Sequence, residues 1–140
     1  KNSVADAVLN AKLMYCKEQD IPAVISVDKN IRGLTQTELC CVLGNLLDNA
    51  IEAELKLSKA HRKIEIKIVM IEEVLDILIR NRIAEPVLQD VQKVKKIGTT
   101  KQDTVNHGFG LKNVRGIVKK YDRFMDLYED SGCCCVHIRI

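Results

Sequence analysis

Two asparagines and one aspartate interrupt a stretch of sequence whose other residues are typical of a core helix. The stretch is "LGNLLDNAIEA", residues 43–53, and it carries Asn45, Asp48 and Asn49. Because Asn45 and Asn49 are one helical turn apart, both amides project from the same side. An unpaired buried amide costs about 1–3 kcal/mol, so these side chains require solvent, internal partners or a ligand. For one polar stripe taken alone, solvent and internal partners are the commoner outcomes.

A second stretch, "NHGFGLKNV", combines two glycines with the expected start of a helix. Gly108 and Gly110 precede helical periodicity, and the first N–H groups of a helix form an anion site. Glycine allows a phosphate to approach the backbone closely. Just upstream, Thr99, Thr100 and Lys101 supply hydroxyls and an ammonium group suited to a polyphosphate. The pattern predicts phosphate binding, although a plain turn into a helix has the same short glycine spacing.

The predicted polyphosphate site does not use either of the two best-known nucleotide motifs. Neither GxxxxGK[ST] nor a strand-linked GxGxxG occurs in the sequence, which excludes the P-loop and the dinucleotide-binding fold. Magnesium takes only one or two protein oxygens and completes its octahedron with water and phosphate oxygens. One asparagine carbonyl on a facing helix is therefore a sufficient protein contribution to a magnesium–polyphosphate site.

Hydrophobic periodicity predicts the helices and strands that must position these residues. Thr35 and Glu38 form a capping-box pair at the start of a long central helix. Helical spacing of apolar residues predicts helices within residues 3–17, 34–58 and 108–122. Alternation and turn residues predict strands over residues 21–28, 63–70, 73–81, 124–130 and 133–140. The last four strands are expected to form two hairpins.

The order of these elements predicts the fold class. Helix, strand, helix, two strands, helix and two strands imply a mixed, largely antiparallel sheet with helices packed on one face, an α+β two-layer sandwich. A chain of 140 residues suits one domain, over residues 1–140. No convincing element appears over about residues 82–107, and a loop of that length is usually functional, so we interpret it as a lid.

Composition and charge exclude several classes of protein. With 46% hydrophobic and 29% charged residues the chain is typical of a globular domain, and no apolar run is long enough to cross a bilayer. A net charge of +3 without interleaved aromatic residues argues against nucleic acid as a partner. Ten basic and three acidic residues lie between Arg80 and Lys120, a local charge of +7 that suits a compact polyanion or a solvated face.

The six cysteines lack CxxC pairs and follow no secretory leader, which favours a reduced, cytoplasmic protein. Cys133 to Cys135 alternate faces in a strand, so their thiols do not converge on one metal, and His137 alone completes no ligand set. Packed thiols are the simpler interpretation. Because the chain begins with Lys1 rather than methionine, we interpret it as a fragment whose upstream part holds a membrane anchor or another domain.

The order of the motifs resembles the GHKL nucleotide-binding superfamily, which includes gyrase, histidine kinases and mismatch-repair ATPases. That order is "LGNLLDNAIEA", a strand ending in a polar residue, a long lid and "HGFGLKNV", and it covers nearly the whole chain. "DAVLNAKLMYCKEQDI", Asn81 in "ILIRNRIAEP" and "GTTKQDTVNHGFGLKNV" are most similar to the catalytic domain of Agr-type, peptide-sensing quorum receptor histidine kinases. The resemblance implies a Bergerat-type fold that binds ATP and Mg²⁺.

The resemblance also implies roles for individual residues. Asn49 matches the magnesium-binding asparagine of the family, and Asn45 one turn earlier supports the metal or the triphosphate. The second glycine box of the family, whose backbone amides face phosphate, is matched by Gly108, Gly110 and Leu111. The residues expected to add charge and hydroxyl groups around the phosphates are Thr99, Thr100, Lys101, His107 and Arg115. His107 is equally well interpreted as an exposed residue of the lid.

Asn81 marks the clearest departure from the family pattern. It occupies the place where the family usually has the aspartate of DxGxG, which accepts a hydrogen bond from the adenine amino group. The glycines of that box are absent as well. An asparagine carbonyl still accepts that bond while the amide nitrogen donates elsewhere, so the resemblance implies that Asn81 contacts adenine.

The residue one turn before the magnesium asparagine separates two chemistries within the superfamily. ATP-hydrolysing members typically carry a glutamate there as general base, whereas this chain has Asn45. Because an amide takes up no proton at neutral pH, we expect transfer of the γ-phosphoryl group to an external nucleophile, as in histidine kinases. His61, His107 and His137 each lack the acidic neighbour on a helix expected of an acceptor, so the acceptor histidine is predicted on an upstream dimerisation helix.

These comparisons within the superfamily leave three interpretations open. The leading one is the catalytic domain of a two-component sensor histidine kinase, with Asn45, Asn49 and Lys101 as its catalytic residues. It implies a homodimeric parent in the bacterial cell membrane, a cytoplasmic location for this domain and a response regulator as partner. The alternatives are a serine kinase of the anti-sigma-factor kind and a non-catalytic nucleotide-binding or dimerisation module.

Overall fold

The computed structural model describes residues 3–83, 101–123 and 125–140, without the side chains of residues 3 and 101–110. The helices in these ranges are α1 (Ser3–Glu18), α2 (Gln36–Leu55) and α3 (Lys101–Lys120). The strands are β1 (Ala23–Val27), β2 (Ile64–Ile71), β3 (Val74–Arg82), β4 (Met125–Asp130) and β5 (Cys133–Arg139). A 3₁₀ turn, Lys59–His61, lies between α2 and β2. None of the described helices combines the length and the apolarity needed to cross a bilayer.

α2 begins with the capping box that the sequence predicts. The hydroxyl of Thr35 accepts a hydrogen bond from the backbone N–H of Glu38 at 3.1 Å, and the N–H of Thr35 donates to the Glu38 carboxylate at 3.0 Å. The buried apolar residues of α2 recur at helical spacing and are Leu39, Val42, Leu43, Leu46, Leu47, Ala50 and Ile51. Their burial holds this helix in the middle of the helical layer, where it contacts both α1 and α3.

The five strands form one mixed sheet in the order β1-β2-β3-β5-β4. β1 pairs with β2 in parallel, and every other pair is antiparallel. The two predicted hairpins, β2–β3 and β4–β5, are both present, with Glu72 and Ser131 at positive φ in their turns. β5 rather than β4 joins the second hairpin to the first.

The hydrophobic core lies on one face of this sheet. Ile66 of β2, Ile79 of β3 and Val136 of β5 are aligned across the strands. Because strand side chains alternate between faces, the buried residues at every second position point to the same side. Leu9 of α1 and Val114 of α3 belong to the same core. The helices therefore pack on one face, and the predicted α+β two-layer sandwich is confirmed.

The boundaries of α3 and of the predicted lid differ from the sequence-based expectation. The glycine pattern predicts a helix that starts near Gly108, and this start is wrong because α3 begins at Lys101. The segment from 101 to 107 contains no glycine or proline that would end a helix. The glycines at 108 and 110 each cost only about 1 kcal/mol inside a helix, so the helix continues across them. Since β3 includes Arg82, both predicted limits of the lid fall inside regular elements. Its middle, residues 84–100, lies outside the described residues.

Candidate functional site

The two amides of α2 occupy a half-buried side of the helix, called here the amide side. Asn45 and Asn49 are both partly exposed and lie one turn apart. Nδ2 of Asn45 donates a hydrogen bond to Sγ of Cys41 at 3.2 Å. Because this bond uses the nitrogen, the carbonyl oxygen of Asn45 is directed away from Cys41. Carbonyl oxygen is a ligand type that Mg²⁺ accepts, so the donor set of the amide side fits that cation.

Glu38 shows that the amide side of α2 is directed toward α3. Its carboxylate accepts hydrogen bonds from Nζ of Lys120 at 2.6 Å and from the hydroxyl of Tyr121 at 2.5 Å, at the carboxyl end of α3. The bond from Lys120 is the largest of the causes that lower the pKa of Glu38 to about 2. Asn45 lies about two helical turns beyond Glu38 and has nearly the same direction. The amide side is therefore the side of α2 that faces α3.

Asp48 has a different role from the two asparagines between which it stands in the sequence. It forms an ion pair with Lys12 of α1, and its side chain is 54% exposed. Asp48 thus joins α2 to α1, whereas Glu38 joins α2 to α3. The sequence predicts that Asp48 lies near the stripe of Asn45 and Asn49, but its partner is in α1, whereas Asn45 binds Cys41 within α2.

Asn81 lies near the end of β3 and is only 8% exposed. Its Nδ2 donates a hydrogen bond to Oε2 of Glu54 at 3.2 Å, with a longer contact of 3.5 Å to the carbonyl oxygen of Arg82. Both partners are acceptors, so the amide nitrogen must point toward them. The nitrogen of Asn81 is therefore engaged within the protein, and contact of its carbonyl oxygen with adenine stays a prediction.

Glu54 is a component of the site that sequence reasoning missed. It is 0% exposed, and its Oε1 accepts a hydrogen bond from the backbone N–H of Lys63 at 2.7 Å. Burial, the largest cause, raises the pKa of this carboxyl, although the bonds from Lys63 and Asn81 act in the opposite direction. A signal was available, because Leu47, Ile51 and Glu54 share the i, i+4, i+7 spacing of a buried helical face. A carboxylate at such a position requires internal partners.

The phosphate-binding half of the predicted site is only partly described. Thr99 and Thr100 lie outside the described residues, and so do the side chains of Lys101 and His107, whose backbones belong to α3. Leu111 is half-buried and packs against the core.

The two glycines of the predicted phosphate site lie inside α3 rather than before it. In a helix that begins at Lys101, the N–H groups of Gly108 and Gly110 are beyond the four that lack helical acceptors. The expectation that these glycines lead a helix is therefore corrected. Their role in phosphate binding stays a prediction.

A separate polar cluster lies on the opposite face of the sheet from the helices. The carboxylate of Asp76, whose side chain is 9% exposed, accepts hydrogen bonds from Nε2 of His137 at 2.8 Å and Nε of Arg139 at 3.3 Å. All six cysteines are free thiols. Within the described part of the chain, no three His, Cys, Asp or Glu side chains are grouped so as to hold a metal. Asp76, His137 and Arg139 thus form a hydrogen-bonded cluster with one ion pair, Asp76–Arg139, on the face of the sheet opposite to α2.

Comparison with known proteins relates the chain to one family model and to several solved structures. The model described as GHKL domain matches residues 34–140. No curated protein sequence matches the chain. The nucleotide-free catalytic domain of the histidine kinase ThkA is similar in structure, with a TM-score of 0.77 and 20% identity over 99% of this chain and 92% of that chain.

Two further histidine kinases have the same fold. The Acinetobacter baumannii histidine kinase AdeS has a TM-score of 0.69 and 17% identity, over 99% of this chain and 62% of that chain. The mycobacterial sensor histidine kinase MprB has a TM-score of 0.66 and 16% identity, over 99% of this chain and 93% of that chain. The architecture described above is thus the fold of histidine kinase catalytic domains.

Proposed function

Because the chain belongs to the GHKL domain family, we propose that it is the ATP-binding catalytic domain of a two-component sensor histidine kinase. Mg-ATP binds between the amide side of α2 and α3, with its base at Asn81 and its phosphates directed toward Gly108 and Gly110. The γ-phosphoryl group is transferred to a histidine on an upstream dimerisation helix.

The main support for this proposal, beside the family, is that α2 is tied to α3 at one end and to β3 at the other. Near its start, α2 is bound to α3 through Glu38. Near its end, Glu54 holds the amide of Asn81. Asn49, the residue expected to bind the metal, is five residues before Glu54, the partner of Asn81, or about 7–8 Å along the helix axis.

The amide side of α2 supplies neutral oxygen ligands rather than charge. Asn49, supported by Asn45, would hold Mg²⁺, which when bound neutralises charge on the phosphates. Lys101, Thr99 and Thr100 supply a cation and hydroxyl groups for the phosphate oxygens. The protein thereby binds and orients the nucleotide for in-line transfer, and the positioning itself lowers the barrier.

Asn45 determines which nucleophile attacks the phosphorus. Its amide nitrogen donates to Cys41, and neither atom of the amide takes up a proton at neutral pH. A water molecule near the γ-phosphoryl group consequently lacks a general base at this position, and hydrolysis is slow. The imidazole of an external histidine needs no such base, because its free ring nitrogen is already nucleophilic.

The motifs that resemble Agr-type receptors support a proposal about the parent protein. We assign this domain to a homodimeric, membrane-anchored quorum-sensing receptor, with the domain in the cytoplasm. The phosphorylated histidine passes its phosphoryl group to a response regulator. Nucleic acid is not a partner in this scheme.

The experiment that tests the proposal mixes the domain with γ-labelled ATP, Mg²⁺ and a separately produced acceptor helix pair from its parent. We expect acid-labile, base-stable label on the helix pair, as for phosphohistidine. Acid-stable label on a serine-containing partner would identify an anti-sigma-factor-type serine kinase. Tight nucleotide binding without any labelled acceptor would identify a non-catalytic module, and absence of nucleotide binding would contradict the proposal as a whole.

A further inference from the structure

We propose that Glu54 is a positioning residue that fixes the orientation of the Asn81 amide and thereby selects a purine with an amino group at position 6. The inference rests on the proposed function, in which Asn81 faces the base of the nucleotide. The new element is Glu54, a buried residue in contact with Asn81, which determines whether the oxygen or the nitrogen of the Asn81 amide contacts the base.

The orientation of Asn81 follows from the chemistry of its partner. When Glu54 is ionised, its carboxylate accepts hydrogen bonds and donates none, so the atom of Asn81 directed at its Oε2 is the nitrogen. The carbonyl oxygen of Arg82, the second atom near that nitrogen, is also an acceptor. With the nitrogen committed to Glu54, the carbonyl oxygen of Asn81 is the atom left for the base.

The carboxylate of Glu54 is itself held in place and cannot exchange its protein partners for water, because the side chain is buried. Its side chain is completely buried, and the backbone N–H of Lys63 binds Oε1 at 2.7 Å. Lys63 directly precedes β2, and Asn81 pairs with Ile64 in the β2–β3 register. The carboxylate therefore connects the last turn of α2 to two neighbouring strands, and rotation of the Asn81 amide would place two acceptors, Oδ1 and Oε2, against each other.

Base selection follows from the orientation. Adenine carries a 6-amino donor, which pairs with a carbonyl oxygen, whereas hypoxanthine and guanine carry a 6-oxo acceptor, which does not. A site built to pair with a donor discriminates strongly against a ligand that lacks it, because a buried polar group is left unpaired. ATP and ITP share the triphosphate and differ only at position 6 and at N1 of the base, so a change of their affinity ratio on substitution of residue 54 reports on recognition of this edge.

The substitution Glu54→Gln tests the proposal by reversing the orientation. The introduced glutamine keeps the bond from Lys63 through its oxygen and turns its NH₂ group toward Asn81. Asn81 then has to rotate, offering its oxygen to residue 54 and its nitrogen to the base. We expect the ratio of ATP to ITP affinity to fall by about tenfold to hundredfold, measured by calorimetry with Mg²⁺ at mildly alkaline pH. Glu72→Gln, at an exposed turn position, is the matched control.

The double variant Glu54→Gln/Asn81→Asp restores the original polarity. The oxygen of its introduced glutamine accepts from Lys63, and the nitrogen of that glutamine donates to the introduced aspartate. The second oxygen of the aspartate then accepts from the adenine amino group. We expect the preference for ATP over ITP to return to within about threefold of the wild-type ratio, a difference below 1 kcal/mol. A residue with only a structural role would give no such rescue.

The outcomes separate this inference from the proposed function. If the wild-type domain binds neither nucleotide, the proposed function fails. If the wild-type domain prefers ATP and a folded Glu54→Gln variant keeps the same ratio, or the double variant fails to restore it, the role of Glu54 is refuted.

A measurement on the unaltered domain covers the case in which the variants do not fold. We expect nuclear Overhauser effects between the side-chain NH₂ protons of Asn81 and the γ protons of Glu54 in NMR spectra of the ATP complex, because the nitrogen lies beside the carboxylate. Absence of these effects, in spectra that resolve both groups, would overturn the proposal without any substitution.

Discussion

At the scale of single residues, the proposed chemistry of the site depends on amides rather than on carboxylates. Asn45, Asn49 and Asn81 are each at least partly buried, and the nitrogen atoms of Asn45 and Asn81 have acceptors within the protein. An amide with a committed nitrogen presents a carbonyl oxygen of known direction. Such oxygens bind a cation or an amino group without adding negative charge beside a triphosphate.

Asn49 is predicted to be required for the magnesium-dependent part of ATP affinity. We expect Asn49→Ala to weaken binding of Mg-ATP by about tenfold to hundredfold, because a ligand oxygen is lost, and to leave the weak binding of metal-free ATP unchanged. Calorimetric titration with and without Mg²⁺ measures both quantities. Asn10→Ala, on the exposed side of α1, serves as control. Equal affinities for Mg-ATP in the wild type and the Asn49 variant would show that Asn49 is not part of the binding site.

Asn45 is predicted to keep the domain from hydrolysing ATP. In Asn45→Glu a carboxylate stands where the γ-phosphoryl group needs a general base, so we expect the rate of phosphate release to rise by at least about tenfold, a fraction of what a well-placed base supplies. Asn45→Gln, which also lengthens the side chain but adds no base, is the matched control. A similar rate in both variants would show that the position does not decide between water and histidine.

At the scale of elements, α2 was predictable at its start and less so at its end. The capping box of Thr35 and Glu38 is a local pattern, and local hydrogen bonds form it in the structure as predicted. The contacts of Glu38 with Lys120 and of Glu54 with Asn81 join residues far apart in the sequence, and no periodicity reports such pairs. The predicted start of α3 is wrong because Gly108 and Gly110 lie inside the helix, which accommodates glycines at modest cost.

Glu38 is predicted to make the stability of the domain depend on pH in the acid range. Its pKa is lowered from 4.5 to about 2 in the folded state, chiefly by the bond from Lys120. The resulting stabilisation is complete above pH 4.5 and is lost as the pH falls toward about 2. Glu38→Gln should lower the free energy of unfolding at neutral pH by roughly 1 kcal/mol, because glutamine keeps the capping box but replaces the charge-assisted bonds to Lys120 and Tyr121 by neutral ones.

Denaturant unfolding between pH 2 and 7 measures this effect, and the exposed residue Glu18, changed to Gln, provides the control. The loss of stability in the Glu38 variant should shrink as the pH is lowered, because the wild-type carboxylate becomes protonated and gives up the same bonds. A loss that is constant across this range would show that the ion pair between α2 and α3 contributes nothing.

At the scale of the whole molecule, most of the architecture was predictable, whereas the assembly of the site was predictable only in part. Alternating apolar residues in Ile64–Ile71 and Val74–Arg82 determine which face is buried, so the hairpins and the two-layer arrangement follow from pattern. The order of β5 and β4 in the sheet does not follow from this pattern, because either edge of the second hairpin offers free backbone groups to β3. Helical period places Asn45 and Asn49 together, but only tertiary packing reveals that Glu54 reaches Asn81.

The central claim is that Mg-ATP binds between the amide side of α2 and α3, with its base at Asn81. The most direct test is an NMR titration of the isotopically labelled domain with Mg-ATP, in which each shifted resonance is mapped onto the fold. We predict saturable shifts that centre on Asn49, Asn81 and Gly110. Shifts centred instead on the outer face of the sheet, at Asp76 and His137, or no shifts at millimolar Mg-ATP, would contradict the account.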